Sequence, residues 1–479
     1  MSALAFLDRQ RTIARPGFSR WLVPPAALSI HLAIGQAYAF SVFNTPLTQI
    51  IGVKQSVKGQ DWDPTTVGWI FSIAIVFLGL SAAVFGKWLE NAGPRKAMFA
   101  SACCFGGGFL VSALGVYWHQ IVLIYLGYGV LGGIGLGLGY ISPVSTLIKW
   151  FPDRPGMATG MAIMGFGGGA LIGGPLGEML MAHFQKASVT PTAGVMETFL
   201  VMGIGYFVFM LFGAATVRLP PPGWKPAGYT VPSRPQRLVT LANVTADQAI
   251  TTRQFYLLWG VLFLNVTAGI GILGQASPMI QDMFSSVDKA AAAGFVGLLS
   301  LFNMGGRFFW SSLSDYIGRK GVYAVYFLLG ACLYALIPMT GNMGSTILFV
   351  ACCAVILTMY GGGFATIPAY LRDLFGTMQV GAIHGRLLTA WSAAGIAGPQ
   401  LVSYIKKYQL DHNVATAHAY DFTMYLMAGL LLIGAVCNFL VTAVDPRHHF
   451  SGVAEHKPGG DGSAGLAVSP SELQNRPRV

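Results

Sequence analysis

The sequence GGRFFWSSLSDYIGRK, residues 305–320, leaves a long apolar run and ends in a cluster of charged residues. Its second half resembles an earlier stretch, GKWLENAGPRK at 86–96, which ends another apolar run. The two align at an offset of 225 residues, and the same offset pairs further residues along the chain: Glu90 with Asp315, Gly93 with Gly318, Pro143 with Pro368, Gly156 with Gly381, and Gly160 with Gly385. A chain that repeats in the same direction is predicted to fold as two parallel halves, related by an axis along the membrane normal.

The composition is that of a membrane protein. Of the 479 residues, 54% are hydrophobic and only 10% are charged, whereas soluble domains are about 25% charged. Many apolar runs approach the length of about 20 residues that crosses the bilayer core. They predict twelve spanning helices, at 22–45, 67–87, 97–116, 120–148, 156–182, 198–218, 254–283, 290–313, 321–341, 345–371, 382–405 and 420–443. The predicted fold class is an all-α membrane protein of two six-helix bundles.

The distribution of positive charge predicts the orientation of these helices. A formal net charge of +11 could indicate nucleic acid binding, but the hydropathy favours charges that orient the loops of a membrane protein. With the N-terminus placed inside, 22 lysines and arginines fall on the inner side and six on the outer side, and only Arg307 is left over. This asymmetry predicts that both termini are cytoplasmic. The charged residues before the first span indicate a cytoplasmic N-terminus and not a cleaved signal peptide.

The longest internal loop, which is rich in proline and charge, divides the chain. We predict five segments: a cytoplasmic N-terminus at 1–21, a six-helix bundle at 22–218, a cytoplasmic linker at 219–253, a second six-helix bundle at 254–445, and a disordered cytoplasmic tail at 446–479. The tail is assigned from its glycine, proline, serine and charge content. Two six-helix halves that rock about a central site would give alternating access, so this organisation indicates a transporter.

Several motifs resemble those of known transporters. The stretch at 86–96 resembles the loop between helices 2 and 3 of the major facilitator superfamily, in which acids and cations lock the inner helix ends in one state. More specifically, GLGYISPVSTLIKWFPDRPGMATGMAIMGFGGGALIGGPLG (137–177), YGGGFATIPAYLRDLFG (360–376) and GQAYAFSVFNTPL (35–47) resemble the oxalate/formate antiporter family. The resemblance implies the major facilitator fold over about residues 20–445. It also implies that the substrate is a small organic anion.

Arg307 is an arginine inside a predicted span. It belongs to a stripe of polar residues at helical spacing: Ser300, Asn303, Arg307, Ser311 and Ser314. The equivalent position in the first half is Ala82, so the fold itself does not require a charge there. A guanidinium keeps its proton and offers a fork that fits a carboxylate. We interpret Arg307 as the anchor for a substrate carboxylate, with snorkelling to the interface as the alternative. The resemblance implies the same role, since family members bind the substrate carboxylate through an arginine on helix 8.

Other polar and aromatic side chains inside the spans are candidates for the same site. The predicted set is Gln36, Tyr38, Tyr140, Asn303, Tyr360 and Trp391. The aromatic members could instead serve in packing or as interface anchors, and the resemblance implies that Tyr38 and Tyr140 line the transport path. His31 is a candidate for relaying protons, against the alternative of a structural histidine. The repeated loops contribute a predicted conformational gate of four residues: Glu90, Arg95, Asp315 and Arg319.

Helix 11 departs from the pattern that the resemblance implies. Oxalate/formate exchange in this family uses a second cation, a lysine within helix 11, whereas here no lysine or arginine stands between Arg386 and Lys406. One buried cation neutralises one carboxylate, and a net charge left in the cavity is costly. We therefore expect monocarboxylates such as lactate, pyruvate or formate to be preferred over oxalate. Transport would be proton symport or anion exchange.

Two other functions remain open as alternatives: a membrane receptor or sensor for small anions, and a carrier of a different substrate class, such as a drug exporter. A sensor would need a sizeable output domain, and neither the central loop nor the tail supplies one. The spans show no cluster typical of an enzyme and no Walker A motif, and their spaced glycines indicate close helix packing. We expect no enzymatic activity, cofactor, metal or nucleic acid. The predicted protein is a monomer in the cytoplasmic (inner) membrane, whose partners are the lipid bilayer and a small carboxylate.

Overall fold

The computed structural model describes residues 3–48, 61–187, 194–229 and 238–450. Within these residues we number twelve spanning helices in chain order: α1 Arg20–Leu47, α2 Pro64–Ala92, α3 Pro94–Tyr117, α4 Ile121–Trp150, α5 Pro155–Ala187, α6 Val195–Thr216, α7 Arg253–Met283, α8 Lys289–Ile317, α9 Arg319–Asn342, α10 Thr346–Phe375, α11 in two segments, Val380–Leu387 and Thr389–Asp411, and α12 Asp421–Phe439. Residues 230–237 of the predicted linker and the predicted tail from 451 onward lie outside the described residues.

Eleven of the twelve helices are long and apolar enough to cross a membrane, counted over the described part of the chain. The exception is α11, because a break at Leu388 divides it and its longer segment carries Thr389, Ser392 and two lysines. Large apolar side chains such as Val84 and Ile347 are exposed on the outside of the bundle, as expected of a lipid-facing surface. The predicted fold class, twelve helices in two six-helix bundles, is confirmed.

The repeat found in the sequence is also a repeat of backbone conformation. Gly93, between α2 and α3, has φ of 88°, and its equivalent Gly318, between α8 and α9, has φ of 81°. Residues other than glycine rarely adopt this left-handed backbone conformation. Each glycine therefore lets the chain reverse between two helices that almost touch end to end.

The spans alternate in direction, so the bundle has two ends. We call the end that carries Glu90, Asp315 and residues 219–229 the linker end, and the opposite end, which carries Asn44, Pro64 and Gln275, the open end. At the linker end the two halves meet at backbone distance: a Cβ added at Gly385 in α11 would lie 2.1 Å from the carbonyl oxygen of Ala82 in α2. The close contact between the halves therefore requires a glycine at position 385.

Helix α1 changes its winding where it passes the centre of the bundle. Residues Gly35–Phe43 form a 3₁₀ helix between two α-helical segments. A Cβ added at Gly35 would lie 2.4 Å from the carbonyl oxygen of Phe166, so α1 and α5 approach each other without an intervening side chain. Mid-helix 3₁₀ stretches often mark functional positions, and this one carries Tyr38 toward the centre.

Candidate substrate site

Arg307 lies fully buried in α8, with 0% of its surface exposed. Its Nε donates a hydrogen bond to Oδ1 of Asn303, one turn earlier, at 3.1 Å. Neither terminal nitrogen, Nη1 or Nη2, has a hydrogen-bond partner among the described residues. Because buried donors are almost always paired, two unpaired donors on one guanidinium indicate a place for a ligand.

Aromatic rings surround this guanidinium. Its central carbon lies 5.9 Å from the ring centre of Tyr38, 5.6 Å from that of Phe166 and 5.2 Å from that of Phe364, residues of α1, α5 and α10. Trp391 of α11 packs on the same rings, with centre distances of 5.3 Å to Phe166 and 4.6 Å to Phe364. Tyr140 of α4 completes the group at 5.2 Å from Trp391. We call Tyr38, Tyr140, Phe166, Phe364 and Trp391 the aromatic chamber.

The positive charge of Arg307 has no counter-charge among the residues that the structure describes. The ion pairs found among the described residues do not include it, and its hydrogen-bond partner Asn303 is a neutral amide. Aromatic faces attract a cation, but such contacts contribute only about 0.5–2 kcal/mol each. An uncompensated buried charge costs several kcal/mol. A buried charge of this kind is stabilised by contact with an anion.

Two further hydrogen-bond donors of the aromatic chamber are also unpaired within the described residues: the hydroxyl of Tyr140 and the indole Nε1 of Trp391. Both side chains are fully buried. The hydroxyls of Tyr38 and Tyr140 are close enough to the guanidinium to interact with it electrostatically. The side chains packed around the guanidinium thus bring donors from three helices, and a carboxylate has acceptor oxygens for such donors.

A cavity of about 650 Å³ leads from the open end toward this chamber. Its wall is formed by α1, α2, α7 and α11 and includes polar side chains: Ser41, Asn44, Thr65, Ser72, Gln275, Gln400 and Ser403. Tyr38 lies in the wall and also contacts the guanidinium of Arg307. Its hydroxyl lies 3.0 Å from that of Tyr360 in α10. This pair of tyrosines joins the two halves between the cavity and the arginine.

The sequence-predicted binding residues do not all lie at this site. Tyr38, Tyr140, Asn303, Tyr360 and Trp391 lie around Arg307 as described above. Gln36 is buried elsewhere in the first half, where its Oε1 accepts a hydrogen bond from the hydroxyl of Tyr128 at 3.1 Å. It packs on Gly173 of α5, and it is absent from the residues that line the cavity. His31 is buried next to Tyr140, with ring centres 5.4 Å apart.

Three residues at the site were missed by the sequence reasoning. Phe166 lies in a glycine-rich stretch that was interpreted as helix packing, and Phe364 carried no signal beyond being aromatic. His384, in the first segment of α11, is 1% exposed, and its ring centre lies 5.8 Å from that of Tyr140. A histidine inside a predicted span was a signal available in the sequence.

The predicted gate residues lie at the linker end, where two acids bind the starts of helices in the opposite half. Asp315 of α8 accepts hydrogen bonds from the backbone N–H groups of Gly156 and Met157 in α5, both at 2.8 Å. Glu90 of α2 accepts one from the backbone N–H of Gly381 in α11, at 3.0 Å. A negative charge at a helix N-terminus is stabilised by the helix dipole. We call these two contacts the acid latches.

The cations near the latches differ between the halves. Arg319 binds Asp315 at 2.7 Å and Asp373 at 3.0 Å. In the first half, Lys149 pairs with Glu90 at 2.6 Å. Arg95 instead donates to the backbone carbonyls of three residues, Phe6 at 2.8 Å, Arg11 at 3.3 Å and Val217 at 3.4 Å, and so fastens the N-terminal segment to the bundle.

A third contact joins the halves at the linker end through the segment between the two bundles. Asp247, in the short helix Ala246–Ala249, binds Lys87 of α2 and also Arg386 of α11, the latter at 2.7 Å. Hydrogen bonds from these two cations hold the pKa of Asp247 below its usual value. The carboxylate therefore stays ionised at neutral pH.

Comparisons with known proteins identify the family of the chain. The family model described as Major Facilitator Superfamily matches residues 20–399. The chain is 27% identical over 382 residues to the oxalate:formate antiporter of Oxalobacter formigenes, covering 79% of this chain and 83% of the antiporter. It is 25% identical over 435 residues to apicoplast pyruvate carrier 1 of Toxoplasma gondii, covering 80% of this chain and 76% of the carrier.

Solved structures show the same fold. A crystal structure of the major facilitator transporter FucP in the outward conformation superimposes with a TM-score of 0.61, covering 87% of this chain and 99% of FucP. The sequence identity is 15%, so this likeness concerns the fold alone. The chain belongs to the Major Facilitator Superfamily and is an integral membrane transporter, not an enzyme.

Proposed function

We propose that the protein is a secondary active transporter of small carboxylates, with monocarboxylates such as lactate, pyruvate or formate preferred over oxalate. The observation that carries this proposal is Arg307: a fully buried guanidinium whose two terminal nitrogens and whose charge have no partner within the described part of the chain. A carboxylate accepts two parallel hydrogen bonds from such a fork and neutralises the charge in the same contact.

The aromatic chamber supports a short substrate with an apolar part. Phe166, Phe364 and Trp391 form its walls. Arg307, Tyr140 and Trp391 each offer hydrogen-bond donors that have no partner among the described residues. A methyl or short alkyl group packs on the rings while its carboxylate binds the guanidinium. The names of the two relatives given above describe carriers of oxalate and formate and of pyruvate. We propose that this chain binds substrates of the same chemical class.

Charge counting favours the monoanions. Arg307 supplies one permanent positive charge, and the five side chains of the aromatic chamber around it are uncharged. A monocarboxylate leaves the loaded site neutral, whereas a dicarboxylate leaves one negative charge in a water-poor site. Such a charge costs several kcal/mol unless a further group compensates it.

Alternating access would proceed by rocking of the bundles at 22–218 and 254–445 about this site. The described state is open at one end and held closed at the linker end by the acid latches. If the linker end is cytoplasmic, as the distribution of positive charge favours, this is the outward-facing state. Substrate would enter through the polar cavity and pass the Tyr38–Tyr360 pair. Transport by proton symport and transport by anion exchange both fit this cycle.

The test is uptake of labelled pyruvate by reconstituted vesicles, with unlabelled oxalate, formate and lactate as competitors. We expect Arg307→Ala to abolish uptake, since loss of a buried charge partner costs about 2–5 kcal/mol. Arg307→Lys should restore it poorly, because lysine supplies the charge without the planar fork. Arg253→Ala, which changes an exposed arginine at the start of α7, is the matched control. Wild-type uptake by Arg307→Ala would refute the proposal.

A further inference from the structure

A pair of buried histidines lies next to the aromatic chamber, one from each half of the transporter. His31 of α1 and His384 of α11 are 0% and 1% exposed. Tyr140 lies between their elements, with ring centres 5.4 Å from His31 and 5.8 Å from His384. The Tyr140 ring in turn contacts Trp391 at 5.2 Å. The histidines are therefore connected to the chamber through one shared tyrosine.

The ring nitrogens of this pair are mostly unpaired. Nδ1 of His31 lies 3.2 Å from the carbonyl oxygen of Ala27, so a neutral ring carries its proton on Nδ1 and presents a free lone pair at Nε2. Within the described residues, Nε2 of His31 and both nitrogens of His384 have no partner. His384 therefore has two buried nitrogens without a partner, which is unusual for a packing residue because interiors satisfy nearly all such groups.

The surroundings limit what these nitrogens can bind. Over the part of the chain that the structure describes, no group of three or more His, Cys, Asp or Glu side chains could hold a metal ion. A proton needs only one lone pair, and histidine is the side chain whose unperturbed titration lies closest to physiological pH. A proton is the ligand that fits.

We propose that His384 and His31 form a proton-binding site that is coupled to the anion on Arg307, so that each carboxylate crosses with one proton. This inference rests on the proposed function of the same site. The charged group that acts directly on His31 is Arg307 of α8, while His31 acts on His384. Tyr140 of α4 contacts both histidine rings, and it interacts with two further titratable groups, Tyr38 of α1 and Tyr360 of α10.

Charged groups nearer the linker end are already engaged. Glu90 of α2 binds the backbone of Gly381 and the side chain of Lys149, and Arg386 of α11 binds Asp247. None of these contacts includes either histidine. The balance of charge at the pair is therefore set by Arg307 and by whatever anion it holds.

Coupling follows from like-charge repulsion. In the empty site, an imidazolium would stand near an uncompensated guanidinium, and two like charges in a low dielectric repel strongly. A carboxylate on Arg307 cancels the guanidinium charge, and the proton then joins a neutral site. In the step itself, the proton adds to an imidazole lone pair and leaves from the same nitrogen on the other side of the membrane. Because the histidines come from opposite halves, rocking separates them and changes which side can supply or remove the proton.

The test uses two assays on the full-length protein in vesicles. Exchange of labelled for unlabelled pyruvate at equal pH needs no net proton movement, whereas accumulation driven by a pH gradient needs coupling. A pH-sensitive dye inside the vesicles reports protons that enter with pyruvate. We expect the wild type to accumulate pyruvate with about one proton per anion. In the double variant, His31→Gln with His384→Gln, accumulation should be at least about tenfold lower, while the rate of exchange should change much less. His412→Gln, an exposed histidine near the open end, is the matched control.

The outcomes separate the two proposals. Accumulation by the double variant equal to that of the wild type, or wild-type pyruvate uptake without proton entry, would overturn the proton site. No exchange of any carboxylate by the wild type would instead overturn the proposed function. If the double variant is unstable, His31→Gln alone serves, because it removes the histidine on which Arg307 acts directly and is expected to lower the proton-to-pyruvate ratio measured by the dye.

Discussion

At the scale of single residues, the neutral partner of Arg307 leaves the charge of the guanidinium uncompensated. Asn303 orients the guanidinium through one hydrogen bond of 3.1 Å to Nε and leaves the charge unchanged. A carboxylate in its place would orient the same nitrogen and also neutralise it. The amide thus fixes the geometry of the fork while keeping the full charge available to a substrate.

This difference makes Asn303→Asp an informative substitution. The new carboxylate would occupy the position of the amide oxygen and compete with the substrate for Arg307. We expect pyruvate affinity to fall by about 2 kcal/mol or more at pH 8, roughly thirtyfold. The loss should persist as the pH is lowered to about 5, because the neighbouring guanidinium favours the ionised form of the new aspartate. Competition binding measured across this pH range checks both effects.

The control for this substitution is Asn303→Ala, which removes the hydrogen bond and adds no charge. It should weaken binding modestly, and its effect should not depend on pH. Pyruvate binding by Asn303→Asp at pH 8 with the wild-type affinity would mean that the charge of Arg307 does not hold the substrate.

At the scale of helices, the residues that the sequence repeat aligns also take part in contacts between the two halves. The offset of 225 residues predicted that Glu90 is equivalent to Asp315 and Gly156 to Gly381. In the structure, each acid binds the start of a helix in the opposite half. Asp315 binds the backbone of Gly156, and Glu90 binds the backbone of Gly381. An alignment identifies equivalent residues but not contacting ones, so the acid latches could not be predicted from the offset alone.

The aromatic chamber was only partly predictable for a related reason. Arg307 and Asn303 were found because a polar stripe in an apolar helix is costly and therefore needs an explanation. Phe166 and Phe364 are apolar residues in apolar helices, and nothing local distinguishes a chamber wall from ordinary packing. Gln36 shows a further limit of this signal, since the Oε1 of a polar residue in a span can bind a partner, here Tyr128, inside one half.

The close contact between α2 and α11 predicts the effect of Gly385→Ala. The added Cβ would lie 2.1 Å from the carbonyl oxygen of Ala82, so the two helices must separate at the linker end. We expect the population to shift away from the state described here, and a cysteine introduced at Ser41 in the open-end cavity should react at least about fivefold more slowly with maleimide. Gly429→Ala in α12, where an added Cβ meets nothing within 4 Å, should leave the rate unchanged.

The acid latches predict a second shift in the same direction. Asp315→Asn replaces an acceptor of two backbone hydrogen bonds and also breaks the ion pair with Arg319. Glu90→Gln weakens one backbone hydrogen bond and the pair with Lys149. Both variants should slow labelling of the Ser41→Cys reporter, and Asp315→Asn should have the larger effect because it loses more contacts. Equal labelling rates for wild type and both variants would show that the latches do not hold the linker end closed.

At the scale of the whole molecule, sidedness is predicted by charge and can be tested directly. The segment 219–253 should face the cytoplasm, and the turn after α11 should face outward. In a cysteine-free background, we expect Lys225→Cys to react with a membrane-impermeant reagent only in inverted vesicles, and Asn413→Cys only in intact cells. Both positions are exposed. The reverse pattern would place the cavity described here on the cytoplasmic side.

The charge of the entire loaded site leads to the last prediction. With Arg307 alone, a monocarboxylate gives a neutral site and oxalate leaves one negative charge. A proton on the His31–His384 pair supplies a second positive charge, which makes the oxalate-loaded site neutral as well. Oxalate keeps both its charges between pH 7.5 and 5.5, so any gain in its binding over this range comes from the protein. We expect oxalate to compete at least about tenfold better at the lower pH, since one compensated charge is a difference of more than about 1.4 kcal/mol, while formate competition changes less. The same measurement on His384→Gln should show a smaller gain for oxalate. An oxalate-to-formate preference that is independent of pH in both proteins would mean that Arg307 is the only cation that the substrate meets.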